Sequence, residues 1–162
     1  MTEREFLHSV PLFSRLGEES LDAILRLTRR RRFPKDDVIF HEKESGDSLF
    51  VILHGRVKVA IFGDDGKEVT LSILSEGDFF GEMSLLDQEP RSATIIAEED
   101  CEVLSLQRDD FMRALEQDPG MSASLIQVLA ARLRKANHQI STLALLDVYG
   151  RVARVIQELA EE

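Results

Sequence analysis

A single cysteine, Cys101, in 162 residues excludes an internal disulfide and an iron–sulfur or thiolate cluster. Positive charge is also in short supply, with 20 Lys and Arg against 30 Asp and Glu for a formal charge of −10. Such a surface does not attract nucleic-acid phosphates by default, so the chain reads as a poor DNA binder on its own. No apolar run approaches the roughly 18 residues of a membrane span. The start, Met1-Thr2-Glu3-Arg4-Glu5-Phe6, has no apolar signal core, which predicts a cytoplasmic chain with no membrane partner. Proline does not recur after Pro119, and six of the nine glycines lie between Gly46 and Gly81. The middle of the chain therefore turns often and its end does not, within a length that suits one domain with a short extension.

What is present follows that division. Leu21, Ile24, Leu25 and Leu27 recur at helical spacing and predict a helix over Glu18 to Arg31, whose tail, Arg29-Arg30-Arg31-Arg32, reads as a solvated cationic helix end. From Phe33 to Leu106 short β-branched runs take over: Val38 to Phe40, Leu49 to Leu53, Val57 to Phe62, Val69 to Leu74, Ala93 to Ile96 and Val103 to Leu106. Ser45-Gly46-Asp47, His54-Gly55, Gly63-Asp64-Asp65-Gly66 and Glu76-Gly77-Asp78 supply positive-φ and Asx-turn residues between them. Short strands so closely spaced predict an antiparallel barrel or jelly roll. Asp109 to Leu115 is a short helix. After Pro119 a long helix follows, on which Leu129, Leu133, Ala136, Ile140 and Leu143 are spaced 4, 3, 4, 3. That is a coiled-coil seam and predicts self-association. Asp147 is expected to cap a further amphipathic helix carrying Val148, Val152, Val155, Ile156 and Leu159, whose uncovered face at Glu162 predicts a longer parent protein.

The chemistry is concentrated in Gly77-Asp78-Phe79-Phe80-Gly81-Glu82-Met83-Ser84-Leu85-Leu86-Asp87-Gln88-Glu89-Pro90-Arg91-Ser92-Ala93-Thr94. A glycine permits close backbone approach, the following residues can form one helical turn with free N–H groups, and an arginine arrives from the next strand. The Arg91 fork matches two phosphate oxygens and Ser92 adds a hydroxyl. Glu82 cannot bind phosphate, but it can accept a hydrogen bond from a sugar hydroxyl. These parts suit a nucleotide. The competing reading is that Glu82 and Arg91 form an ion pair that braces a loop.

Gly81-Glu82-Met83-Ser84-Leu85 and Pro90-Arg91-Ser92-Ala93-Thr94 resemble the phosphate-binding cassette of cyclic nucleotide-binding domains. Ser45 to Val59 resembles the early strands of that fold. Leu143-Ala144-Leu145-Leu146-Asp147-Val148-Tyr149-Gly150-Arg151 is similar to the hinge of bacterial CRP/FNR-type transcription regulators. The resemblance implies a mainly β fold: a jelly roll (double-stranded β-helix) flanked by N-terminal helices and a long C-terminal dimerisation helix. It implies a helical segment over 1–32, the jelly roll over 33–118, the dimerisation helix over 119–146, and over 147–162 a hinge with the first helix of a truncated DNA-binding domain. It further implies a non-enzymatic regulator whose ligand is a cyclic nucleotide, most often cAMP, with no metal. The partners implied are a second copy of the chain, DNA through a C-terminal helix-turn-helix domain absent from this chain, and RNA polymerase for the whole protein.

Carried over to this sequence, Gly81 and the Met83 backbone face the ribose-phosphate, Glu82 takes the 2′-hydroxyl, Arg91 and Ser92 hold the phosphate, and Ser84 belongs to the same loop. The hinge is Asp147, Gly150 and Arg151. Two departures stand out. Asp36 and Lys43 replace turn glycines usual near the start of the fold, which concerns turn geometry rather than the pocket. The long-helix threonine that reads adenine in the best-known members falls at Ala136, leaving the neighbouring Asn137 as the candidate base reader. Haem variants would use one of His8, His41, His54 or His138. A metal-dependent cupin enzyme would need a His-x-His pair, which the sequence lacks, and a ligand-free dimerisation module is the third alternative.

Overall fold

The computed structural model describes residues 1–161. The chain divides into two compact units, Met1–Ser124 and Leu125–Glu162. Glu162, the end of the segment expected over 147–162, lies outside the described residues.

In the first unit, α1 (Glu3–Ser9) begins at a capping box in which Thr2 and Glu5 each accept the other's backbone N–H. Helix α2 (Glu18–Leu27) buries Leu21 and Ile24. Here the structure corrects the sequence reading. The helix stops at Leu27, Thr28 is extended (φ −79°, ψ 152°), and Arg29–Phe33 is strand β1 rather than a cationic helix end. Strand alternation explains why four arginines are tolerated there. On one face, Arg30 reaches Glu3 and Glu102, and Arg32 reaches Glu102. On the other, the Arg31 guanidinium lies 4.9 Å from the centre of the Phe33 ring, and Phe33 itself is buried.

The remaining strands are β2 (Val38–Phe40), β3 (Ser48–His54), β4 (Val57–Phe62), β5 (Glu68–Leu74), β6 (Phe79–Phe80), β7 (Thr94–Ala97) and β8 (Cys101–Gln107). They form two four-stranded antiparallel sheets, β1-β8-β3-β6 and β2-β7-β4-β5. This is the jelly roll expected from the strand spacing. Its core includes Phe50, Ile52, Val57, Phe80, Ile95 and Val103, with Phe50 and Phe80 stacked at 5.1 Å and Phe40 beside both. Cys101 belongs to that core. Strand β6 is only two residues long, yet it pairs Phe80 with Phe50 and so fixes the chain where it enters Gly81. Helix α3 (Glu82–Asp87) follows, and α4 (Arg108–Gln117) continues from β8.

The last element, α5 (Pro119–Ala160), is a single helix of 42 residues. The boundary expected at Asp147 is absent. Instead of capping a new helix, Asp147 pairs with Arg151 one turn on, at 2.9 Å, and Gly150 is carried within the helix. Along the second unit Leu133, Ile140 and Leu143 are each more than three-fifths exposed.

Candidate functional site

Strand β6 delivers Gly81 in a left-handed conformation (φ 87°), and Gly81 is the N-cap of α3. A Cβ here would be strained by that φ and would lie 2.8 Å from the Ser48 carbonyl oxygen and 2.9 Å from the Arg91 guanidinium, so only glycine fits. The first turn of α3 then presents its residues alternately. Glu82 and Ser84 are buried, whereas Met83 is exposed.

Arg91 precedes β7 and is turned inward, 6% exposed. Its loop is clamped to the β2–β3 connection by two reciprocal backbone hydrogen bonds, Lys43 N–H to Arg91 O and Arg91 N–H to Glu44 O, both 2.8 Å. The guanidinium donates to the Gly81 carbonyl (2.8 Å), the Ser84 hydroxyl (2.7 Å) and the Ser48 carbonyl (2.9 Å). Its carbon lies 4.1 Å from the centre of the Phe40 ring, a cation–π contact. These acceptors are neutral, so they orient the cation without cancelling it. Burial lowers the Arg91 pKa from its usual value, and the carboxylates of Asp47, Glu82 and Glu44 act in the opposite direction. Arg91 Nε is itself buried and has no hydrogen-bond partner among the described residues. A buried charged donor left without an acceptor is costly, and in a native structure it points to an absent group.

The structure thus joins Gly81, Ser84 and Arg91 by direct contacts and places Glu82 close enough to act on the Arg91 charge. Ser92 is exposed and its hydroxyl donates to the Met83 sulfur at 3.6 Å. Asn137 is an exposed residue of α5 in the second unit. Sequence reasoning missed four contributors: Gly46, Phe40, Asp47 and the Ser48 carbonyl. Gly46 was expected to supply a positive-φ turn, but it is not among the positive-φ glycines. Its role is close approach, since a Cβ there would lie 2.2 Å from Arg91 Nε, 2.3 Å from Cζ and 2.6 Å from the Ser84 hydroxyl. The glycine was visible in the sequence; what it makes room for was not. Asp36 and Lys43, the residues standing where turn glycines are usual, do adopt glycine-like φ values of 72° and 71°.

Three comparisons bear on this geometry. The model of the cyclic nucleotide-binding domain matches residues 30–118. The chain is 36% identical over 152 residues to the cyclic AMP receptor protein of Thermus thermophilus, spanning 94% of this chain and 70% of that one. It is 32% identical over 157 residues to the CRP-like cAMP-activated global transcriptional regulator of Mycobacterium tuberculosis, spanning 97% and 70% of the two chains. Among solved structures, the crystal structure of Thermus thermophilus catabolite activator protein superposes with a TM-score of 0.73 at 37% identity, covering 83% of this chain and 63% of that one. Among the described residues no helix is long and apolar enough to cross a membrane.

Proposed function

Because the chain belongs to the cyclic nucleotide-binding domain family, in the branch of CRP-like transcription regulators rather than enzymes, we propose that its cassette binds a cyclic nucleoside monophosphate, with cAMP as the preferred guest. The observation that carries this reading is the unpartnered Arg91 Nε inside a cradle of neutral acceptors. A phosphate diester brings the negative oxygens that such a guanidinium lacks. In this reading Arg91 and Ser92 hold the cyclic phosphate, with the Gly81 and Met83 backbone alongside. Ser84 keeps Arg91 in place, Glu82 accepts from the ribose 2′-hydroxyl, and Asn137 reads the base.

The reading extends to regulation. Two copies associate along Leu129, Leu133, Ala136, Ile140 and Leu143, and nucleotide favours one arrangement of the pair. The residues Asp147, Gly150 and Arg151 pass that preference to a DNA-reading region outside this chain, where RNA polymerase is a further partner. Ligand can shift such an equilibrium only by its differential affinity for the two arrangements. The exposure of Leu133, Ile140 and Leu143 supports the pairing. The test is titration calorimetry with cAMP and cGMP on the wild type and Arg91→Ala, together with mass spectrometry of nucleotide retained through purification. Loss of one charge-assisted fork weakens binding by about tenfold or more, at roughly 1.5–3 kcal/mol. Equal binding of cAMP by both proteins would overturn the site.

A further inference from the structure

A second space adjoins the cassette and shares part of its wall. A cavity of about 360 Å³ is bounded by Lys43, Ser45 and Gly46 on the β2–β3 connection, Ser84 in α3, Gln88 to Pro90 after it, and Arg108 at the start of α4. Of its lining residues Ser84 and Pro90 belong to the cassette, and none is proposed to touch the nucleotide.

Its lining is rich in donors. The side chains of Lys43, Ser45 and Gln88 have no hydrogen bond or ion pair among the described residues. Arg108 spends Nε on the Leu85 carbonyl at 3.1 Å, and its nearest carboxylate contact is a 3.8 Å approach to the exposed Asp109. Against these two cations, the cavity wall carries one carboxylate, that of Glu89. On a chain of formal charge −10, this wall holds two cations to one carboxylate and is rich in donors.

The recess is also held in shape. Lys43 sits at φ 71°, with its N–H bonded to the Arg91 carbonyl at 2.8 Å. The Arg108 N–H donates to the Asp47 carbonyl at 2.7 Å. Both cations therefore rise from fixed backbone, which lowers the ordering cost of holding a ligand between them.

We infer that this cavity is a binding site for a small tetrahedral oxyanion, phosphate or a phosphate monoester, held by Lys43 and Arg108 with Ser45 and Gln88 as neutral donors. The inference does not rest on the nucleotide reading. Its shared wall does link the two sites, because Ser84, which lines the cavity, also accepts the 2.7 Å bond from Arg91.

The test is a titration of the isotope-labelled chain with inorganic phosphate at constant ionic strength, followed by amide chemical shifts, with and without saturating cAMP. The expected result is saturable movement of the Ser45, Gln88 and Glu89 amides at about 1–10 mM, persisting in the presence of cAMP. Lys43→Gln weakens it at least about threefold and Lys43→Glu abolishes it. Lys43 is an exposed side chain without partners, so both variants are expected to fold. Drift without saturation overturns the inference, as do identical curves for wild type and Lys43→Glu. So do shifts confined to Gly81, Met83 and Ser92 that cAMP displaces, since phosphate would then sit in the cassette. Failure of cAMP to bind would defeat the nucleotide proposal alone, with the phosphate titration still decisive.

Discussion

Gly46→Ala is the smallest change that tests whether the position of the Arg91 guanidinium matters. The new methyl carbon would lie 2.2 Å from Nε and 2.3 Å from Cζ. Relief to an ordinary contact near 3.4 Å requires a displacement of about 1.2 Å. The guanidinium cannot yield that distance freely, because three hydrogen bonds of 2.7–2.9 Å pin it and the Phe40 ring lies against it. Either these bonds stretch or the loop carrying Gly46 moves away from them. Overpacking of this kind costs about 1–3 kcal/mol. Moving the fork off its axis also removes its match to a phosphate, so cAMP affinity should fall about tenfold or more.

A double-mutant cycle isolates this cause. In an Arg91→Ala background the clash with the guanidinium is gone and only the 2.6 Å approach to the Ser84 hydroxyl remains, so Gly46→Ala should then cost less in urea unfolding. The expected coupling is about 1 kcal/mol or more, within the range for residues in direct contact. Calorimetry of the single variants supplies the binding arm. Additive stabilities within about 0.5 kcal/mol, or an unchanged cAMP affinity in Gly46→Ala, would refute the argument that glycine is required to make room for Arg91.

Four further outcomes are expected. Ile140→Glu places a charge in the exposed seam of α5 and should convert a dimer to monomer in sedimentation at about tens of micromolar, whereas a wild type already monomeric there removes the seam from consideration. Asn137→Ala should reduce discrimination between cAMP and cGMP while leaving the phosphate contacts, and unchanged relative affinities would take Asn137 out of base reading. Burial pushes the Cys101 thiol up, with backbone hydrogen bonding at Arg56 and Glu99 acting the other way. Cys101 should therefore resist iodoacetamide until the chain unfolds. Since the unfolded thiol releases its proton first, stability should fall as pH rises past about 8.5, and rapid native alkylation would contradict the burial. Residues 1–162 should give no specific retardation of a palindromic operator at moderate salt, and saturable, specific retardation would place a DNA-reading surface within this chain.

The jelly roll was legible because its strands are separated by turns and built from β-branched runs such as Val57 to Phe62, which the structure reproduces as β4 without a residue's difference. Strand β1 was not, because the sequence Arg29-Arg30-Arg31-Arg32 has no apolar period to follow. Its assignment depends on Glu102 and Glu3, which are brought to one of its faces only by folding. Strand β6 was hidden for another reason: two phenylalanines are too short a run to show alternation, and pairing with β3 defines them. At the site, spacing was enough to select Gly81, Glu82, Ser84 and Arg91. It could not show that the guanidinium lies against Gly46 and Phe40, since those contacts cross from the β2–β3 region to the segment before β7.

The same limit applies to α5, where the sequence suggested a break and the structure has none, yet the pattern of apolar residues does change there. Continuing the seam by its own 4, 3 spacing from Leu143 gives Asp147 and Gly150, neither of which can serve as an apolar knob. Among the apolar residues that follow, which also include Leu146, Tyr149 and Ile156, a second set, Leu145, Val148, Val152, Val155 and Leu159, is again spaced 3, 4, 3, 4 and all more than half exposed. Leu145 comes two residues after Leu143, a turn of about 200° at about 100° per residue. One helix therefore presents two stripes on nearly opposite faces, and a straight seam with a second copy can cover only the first. The change occurs where the helix is intrinsically weak. Gly150 costs about 1 kcal/mol relative to alanine, and the exposed Asp147–Arg151 pair returns only about 0.3–0.5 kcal/mol. If the two stripes have different partners, only a small free-energy difference is needed to bend or straighten the helix between them. A ligand with a modest preference for one dimer arrangement could supply it, which is why 147–151 remains the proposed hinge although the helix is unbroken there.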